Sequence, residues 1–488
     1  MYLFGQNIEA MDLSFFQMIG GFVALYITAF LFFVIRRKMR SPEKSFKNCA
    51  INVALTPMKI FKIGPFKQGK ISLESSMKEA VRKAKLTDFG VNSADLVETY
   101  NKIMDSKSFK NQRFHNLGYI SAGIEINMTL ARRLTFCQYL KENPKVETVP
   151  VNAPVFVMGL PRTGTTFLHR LLSLDPAFRA PMTWELLNPV PKPQGHEGSE
   201  TDLGLHAVDR ERRRKYVKKI LATRRSMGDD ALAHIHEVGA DLPEECLLCL
   251  SDNLPCLPML LYDDYFNYER FLSIDAKPAY ATYKKYLQLL SYQTNDFKNG
   301  NNGVTLPKRW MLKCPIHLFY PKEVGAIFPD AKLIWNHRHP VSAVPSLCSL
   351  LKAFHMLYYE PECRDDAELG RVLKIVSENV LEQTPKDIAA SGLDCAHVLY
   401  NDLIKRPEEV VKGIYKQFNW TYSDEYDAIL KKYLKKNNEE REAMKKKQGG
   451  KGPLHTYSPE EFGLTAEELS SGKYAEYCQR FNVAMSRG

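Results

Sequence analysis

Four apolar residues, Val155-Phe156-Val157-Met158, end in a turn bracketed by Gly159 and Gly164, and a helical stretch follows from Thr165 to Leu172. A strand that passes into a helix through so short a glycine turn packs strand against helix, the α/β arrangement. Such a turn also points backbone N–H groups, and the positive end of the new helix, at one spot. The side chains agree with an anion there: Arg162 is the loop's cation, and Thr163, Thr165 and Thr166 supply hydroxyls. From Gly159 onward apolar strand-like runs alternate with helical stretches, and no repeat of solenoid period occurs.

A nucleotide-binding P-loop has the same Gly-x4-Gly spacing but continues Gly-Lys-Ser/Thr, so that lysine reaches the outer phosphates and the hydroxyl holds Mg²⁺. Here Thr165 stands at the lysine position. A second segment, Lys332-Leu333-Ile334-Trp335-Asn336-His337, reads as a buried strand running into Arg338-His339-Pro340 and a helix that carries Ser346. An ATP-hydrolysing protein would want an acid at such a strand end to hold Mg²⁺. This one ends in histidine and arginine.

Together these residues resemble sulfotransferases that use 3′-phosphoadenosine 5′-phosphosulfate (PAPS). The loop is similar to their 5′-phosphosulfate loop, Pro-Lys/Arg-Ser/Thr-Gly-Thr-Thr, and Arg338 with Ser346 eight residues on is similar to their 3′-phosphate clamp. Trp310 to Leu318 resembles the family's Lys-x-Pro-x-His-Leu element, and Tyr400-Asn401-Asp402-Leu403 its adenine-side Tyr-x-Asp-Leu. Thr183-Trp184-Glu185, His236 to Cys246 and Tyr457 to Leu464 resemble segments of a bacterial-type branch. The departures are Arg162 for the commoner lysine, Phe167 where many members have Trp, and no clear Arg-Lys-Gly loop, for which Gly449-Gly450-Lys451-Gly452 is the nearest substitute. The resemblance implies a P-loop-type three-layer α/β sandwich with a central parallel sheet, over 149–488.

Ahead of that domain the chain divides into a short tail (1–14), an apolar helix (15–35), a basic segment (36–71) and a helical region (72–148) expected to pack on the catalytic domain. Phe15 to Ile35 is interrupted only by Gln17 and Thr28, long enough to cross a hydrocarbon core. Glu9 and Asp12 precede it and Arg36-Arg37-Lys38 follow, the reverse of a cleaved signal peptide, so the expectation is a retained single-pass anchor. The formal charge of +11 is concentrated beside it: residues 36–70 hold ten Lys/Arg against Glu43 alone. A basic block next to an apolar helix points to anionic lipid through residues 15–70 rather than to nucleic acid. Positive-inside counting puts the catalytic domain on the cytoplasmic side of an endoplasmic reticulum or Golgi membrane. Glycan-modifying members of the family sit in the Golgi lumen, so a luminal carbohydrate sulfotransferase stays open. Ten scattered cysteines do not form a disulfide framework, and Cys246-Leu247-Leu248-Cys249 reads as helix core rather than a metal or redox pair.

The resemblance implies transfer of a sulfuryl group from PAPS to an acceptor hydroxyl, without metal, leaving adenosine 3′,5′-bisphosphate. Arg162, Thr163, Gly164, Thr165, Thr166, Phe167, Arg338, Ser346, Tyr400 and Lys451 are then the nucleotide-binding set. Arg162 and Lys313 would meet charge building on the leaving oxygen. A proton acceptor working near neutral pH suits histidine, with His317 first and His236 second. An anchored domain with a basic collar suits a lipidic, steroidal or other amphipathic alcohol. A P-loop NTPase or kinase is the alternative enzyme, and a membrane-tethered nucleotide-binding protein without catalysis the alternative binder. Acceptor identity and oligomeric state are not written in these residues.

Overall fold

The computed structural model describes residues 23, 25–40, 44, 46–67, 71–90, 93–105, 113–191, 203–226, 238–254, 274–294, 308–447 and 457–485. Five strands form one parallel sheet: β1 (Val155–Met158), β2 (Phe178–Arg179), β3 (Arg309–Lys313), β4 (Lys332–His337) and β5 (Asp394–Leu399), in the order β2-β3-β1-β4-β5. β1 pairs with β3 on one side (Val157 opposite Lys313) and with β4 on the other (Met158 opposite Trp335). The strand order therefore reverses around β1. In an open parallel sheet such a reversal leaves a crevice beyond the carboxyl ends of the strands. Gly159, Lys313, Arg338 and Tyr400 all lie at those ends.

Both sheet faces are covered, which is why the strands read as continuous apolar runs. Val155 and Val157 pack into one cluster with Leu168, Leu171, Val411, Ile414 and Leu430. Phe156 and Met158 pack into the other with Leu287, Val324, Leu347 and Leu373. That alternation makes a three-layer sandwich. The N-terminal helices Leu73–Ala84, Ser93–Met104 and Asn116–Glu142 contribute Leu73, Leu96, Ile126 and Leu130 to this second cluster, so they share the catalytic core. The first and last of these start at caps the sequence supplies: Ser72 accepts from Ser75 N (3.2 Å), and His115 Nδ1 accepts from Gly118 N (2.9 Å).

Residues 25–40 are helical, and Leu25, Tyr26, Ile27, Leu31, Phe32, Phe33 and Ile35 stand exposed along them. Residues 15–22 and 24 of the expected anchor lie outside the described residues. At the other end of this helix Val34 is buried, and Arg37 forks onto both carboxylate oxygens of Glu360 (2.9 and 2.8 Å) while Arg40 meets Glu362 (2.6 Å). The helix Phe46–Ile60 then lies on Asn116–Glu142, its Asn52 Oδ1 accepting from Leu117 N (2.9 Å). Among the described residues one helix, Pro340–Tyr358, is long and apolar enough to cross a membrane. Its Ala343, Val344, Leu347 and Leu351 are buried in the protein, so it serves as a core helix.

Candidate active site

The loop between β1 and the helix Thr165–Leu172 is built for an anion. Arg162 (φ 71°) and Gly164 (φ 86°) both adopt left-handed backbone, the kind of turn in which successive N–H groups line a concave nest. Gly164 has no freedom to change: a Cβ there would lie 3.1 Å from Tyr400 Cδ2 and 3.2 Å from Leu403 Cδ2. Thr163 Oγ1 closes the turn by donating to Leu160 O (2.7 Å), and Asn336 Nδ2 donates to Thr163 O (3.4 Å). His169 ties the helix to β3 through Nε2 and Met311 O (3.0 Å); full burial holds its pKa down at about 3.

Residues far apart in the sequence meet over this loop. Arg162 Nε donates to Ser346 Oγ (3.2 Å), and Arg338 Nη1 donates to Arg162 O (2.7 Å). The Arg338 guanidinium lies 4.3 Å from the centroid of the Tyr400 ring, a cation–π stack that fixes its plane. Its Nε is buried and meets no protein acceptor. Burial, above all, pulls the Arg162 pKa below its ordinary value. Two guanidinium groups and a hydroxyl gathered over one glycine turn fit a phosphate-bearing nucleotide.

On the other side of β1, Lys313 reaches into the same layer. Its buried ammonium donates to Glu245 Oε1 (2.6 Å) and to Thr166 Oγ1 (3.3 Å). Glu245, which the sequence offers only as an acidic neighbour of His236, stands beside the loop through this pair. Its signal was the Glu-Glu pair running straight into an apolar helix.

His317 is placed elsewhere. It follows β3 on the short turn Pro315–Phe319 and is wholly buried, its Nδ1 hydrogen-bonded to Tyr280 OH (2.7 Å) and its ring edge-on to Phe156 (centroids 4.9 Å apart). Burial, reinforced by the Lys313 charge, holds its pKa at about 3. His317, the expected proton acceptor, is thus a buried ring whose Nε2 meets no protein partner. His236 and Lys451 lie outside the described residues. Trp184 and Glu185 are buried supports: Arg213 stacks on the indole (5.2 Å) and Arg179 pairs with Glu185 (2.7 Å). Cys246 and Cys249 are buried core, and burial pushes the Cys246 thiol up to about 12.

The comparisons with known proteins agree with this geometry. Residues 154–424 match the model of a family described as "Sulfotransferase family". A curated relative, omega-hydroxy-beta-dihydromenaquinone-9 sulfotransferase Stf3 of Mycobacterium bovis, is 26% identical over 299 residues, covering 59% of this chain and 68% of its own length. Among solved structures, sulfotransferase STF9 of Mycobacterium avium superposes with a TM-score of 0.67 at 24% identity, covering 85% of this chain and 97% of its own. Sulfotransferase STF1 of Mycobacterium tuberculosis gives 0.64 at 24% identity, covering 83% and 99%. These two likenesses speak for the fold.

Proposed function

The chain belongs to the sulfotransferase family, and from that premise we propose that it moves a sulfuryl group from PAPS to the hydroxyl of an amphipathic lipid at a membrane surface. The observation that carries the donor reading is the meeting of Arg162, Arg338, Ser346 and Tyr400 above the loop. In this reading the nest 162–166, with the hydroxyls of Thr165 and Thr166, holds the 5′-phosphate. Arg338 and Ser346 hold the 3′-phosphate, Tyr400 lies along the adenine, and Phe167 and Lys451 complete the nucleotide set. PAPS supplies an activated sulfuryl group whose departing partner is a phosphate oxygen. Arg162 and Lys313 meet the negative charge that collects on that oxygen, which is the larger part of catalysis in transfers of this type.

The acceptor reading draws on two observations. The related Stf3 carries in its name an omega-hydroxylated menaquinone, a lipid bearing a hydroxyl. Here, a row of exposed apolar side chains on residues 25–35 precedes the basic segment 36–70, the pattern of an anchor set against anionic headgroups. We place the catalytic domain on the cytoplasmic face by the same basic flank. The named relatives are mycobacterial, and nothing in them supports the endoplasmic reticulum or Golgi assignment.

The donor reading is tested by calorimetric binding of adenosine 3′,5′-bisphosphate to the full chain, with ATP–Mg²⁺ in parallel. We expect bisphosphate to bind without metal, and Arg338→Ala to weaken it by about 10–100-fold, the worth of one or two charge-assisted hydrogen bonds. Preference for ATP–Mg²⁺, or indifference to Arg338, would return the chain to the P-loop NTPase alternative.

A further inference from the structure

The ladder between β4 and β5 ends with His337 opposite Leu399. Arg338 and Tyr400, the two partners in the cation–π stack over the loop, are the first residues past it. The ladder therefore does not fix their spacing. A guanidinium fork recognises an anion through its geometry, so the orientation of Arg338 has to be held by other contacts.

The helix Gly472–Phe481 lies against both strand ends. Tyr477 OH shares a hydrogen bond with His337 Nδ1 (2.9 Å), and His337 Nε2 shares one with His397 Nδ1 on β5 (2.9 Å). Phe481 stacks on the His337 ring, with centroids 4.5 Å apart and 21° between the planes. Both nitrogens and one face of this buried ring are thus engaged, one residue before Arg338. Burial drives the Tyr477 phenol pKa well above its ordinary value, and the backbone amide of Arg338 pulls the other way, so the hydroxyl meets that amide as well. At the other strand end Asn401, one residue after Tyr400, donates from Nδ2 to Ala484 O (3.3 Å). The helix is itself fixed from behind, where Tyr474 OH donates to Lys374 O (3.0 Å) and meets Ser377 Oγ (2.6 Å) on the helix Asp366–Ser391.

We propose that Tyr477 is a positioning residue for nucleotide recognition, a reading that rests on the donor site proposed above. Through the His337 ring it holds the backbone of Arg338, and with it the guanidinium that meets the 3′-phosphate. The segment that carries Tyr477 also grips Asn401, so guanidinium and Tyr400 ring stay in register as one clamp. Tyr477 acts only through Arg338, and its effect falls on the part of the nucleotide that Arg338 meets.

Calorimetry on the full chain tests this by comparing adenosine 3′,5′-bisphosphate with adenosine 5′-monophosphate, which lacks the 3′-phosphate. The ratio of the two affinities reads the clamp alone. Tyr477→Phe keeps the ring and removes the hydroxyl. It should weaken the bisphosphate by about 3–10-fold, the worth of one hydrogen bond, and leave the monophosphate within about twofold of the parent. A ratio equal to the parent's, whether both nucleotides keep their affinity or lose it together, would overturn the assignment and leave Tyr477 as packing. If Tyr477→Phe does not fold, Asn401→Ala decides, since it removes only an exposed hydrogen bond. A ratio reduced by about two- to threefold supports the clamp, and an unchanged one overturns it. Arg338→Ala keeps the donor reading separate. A parent chain with no preference for the bisphosphate, or a preference that survives Arg338→Ala, fails the donor site itself. A preference that Arg338→Ala abolishes and Tyr477→Phe leaves whole fails only the role given to Tyr477.

Discussion

Lys313 and His317 leave the same end of β3 four residues apart and finish on opposite faces of the sheet. Lys313 is in register with Val157, whose side chain belongs to the cluster beneath the loop helix, and it reaches Thr166 and Glu245 on that side. His317 turns back under the sheet to the ring of Phe156, which belongs to the other cluster, and shares a hydrogen bond with Tyr280. One motif thus serves two layers. Its lysine pairs with Glu245 and Thr166, while its histidine packs beneath the strand end on which the lysine stands.

The sharpest way to break this comparison is to remove each side chain in turn. Lys313→Ala should lower kcat by about 10²–10³-fold, the usual cost of losing one preorganised donor at a developing anion. Steady-state kinetics beside bisphosphate calorimetry would check it, because the loss belongs in turnover rather than donor affinity. His317→Phe should leave the folded enzyme's kcat within about tenfold of the parent and instead cost about 1–3 kcal/mol of stability, since the buried Tyr280 hydroxyl is stranded. Urea unfolding reads that loss, and a catalytic collapse at unchanged stability would reverse the roles given to the two residues.

A smaller effect separates the layers by pH. His169 and His317 titrate at about 3 in the folded chain, against an ordinary value of 6.5. Their neutral forms favour folding above pH 6.5, and that contribution is lost as the pH falls toward 3, because the unfolded chain binds protons that the folded chain refuses. Unfolding free energy should therefore decline below pH 6.5 by up to about 1.4 kcal/mol per pH unit for each such histidine. Urea titrations between pH 7.5 and pH 5 would measure it, and the His317→Phe variant should show the shallower slope.

The donor side was legible because its signals are local. Strand, glycine turn and helix follow one another within residues 155–172, and a strand end followed by Arg338 and Ser346 needs no knowledge of distant contacts. The surroundings of Lys313 and His317 were not. Which face of the sheet receives His317 depends on the short turn Pro315–Phe319, and residue spacing carries no record of that turn's direction. Glu245 sits on a segment with neither helical nor strand periodicity, held by the bridge Met182–Pro243 and by Lys313 O, so only the assembled sheet brings it to the lysine. β2, two residues long, offers no pattern at all. The helical N-terminal region is readable from its caps and apolar faces, and its Leu96 shares one cluster with Trp335 of β4.

The left-handed backbone at Arg162 sets two demands of natural selection against each other at a single codon. A residue with a Cβ held at φ 71° costs about 1–2 kcal/mol that glycine would not. Glycine there would relieve the backbone and remove the cation. Heat resistance and donor affinity thus call for different residues at the same position, and the chain keeps the arginine. Because that cost is met when the chain folds, the loop backbone is fixed without a ligand, and in the donor reading proposed above little conformational freedom remains to be lost on binding.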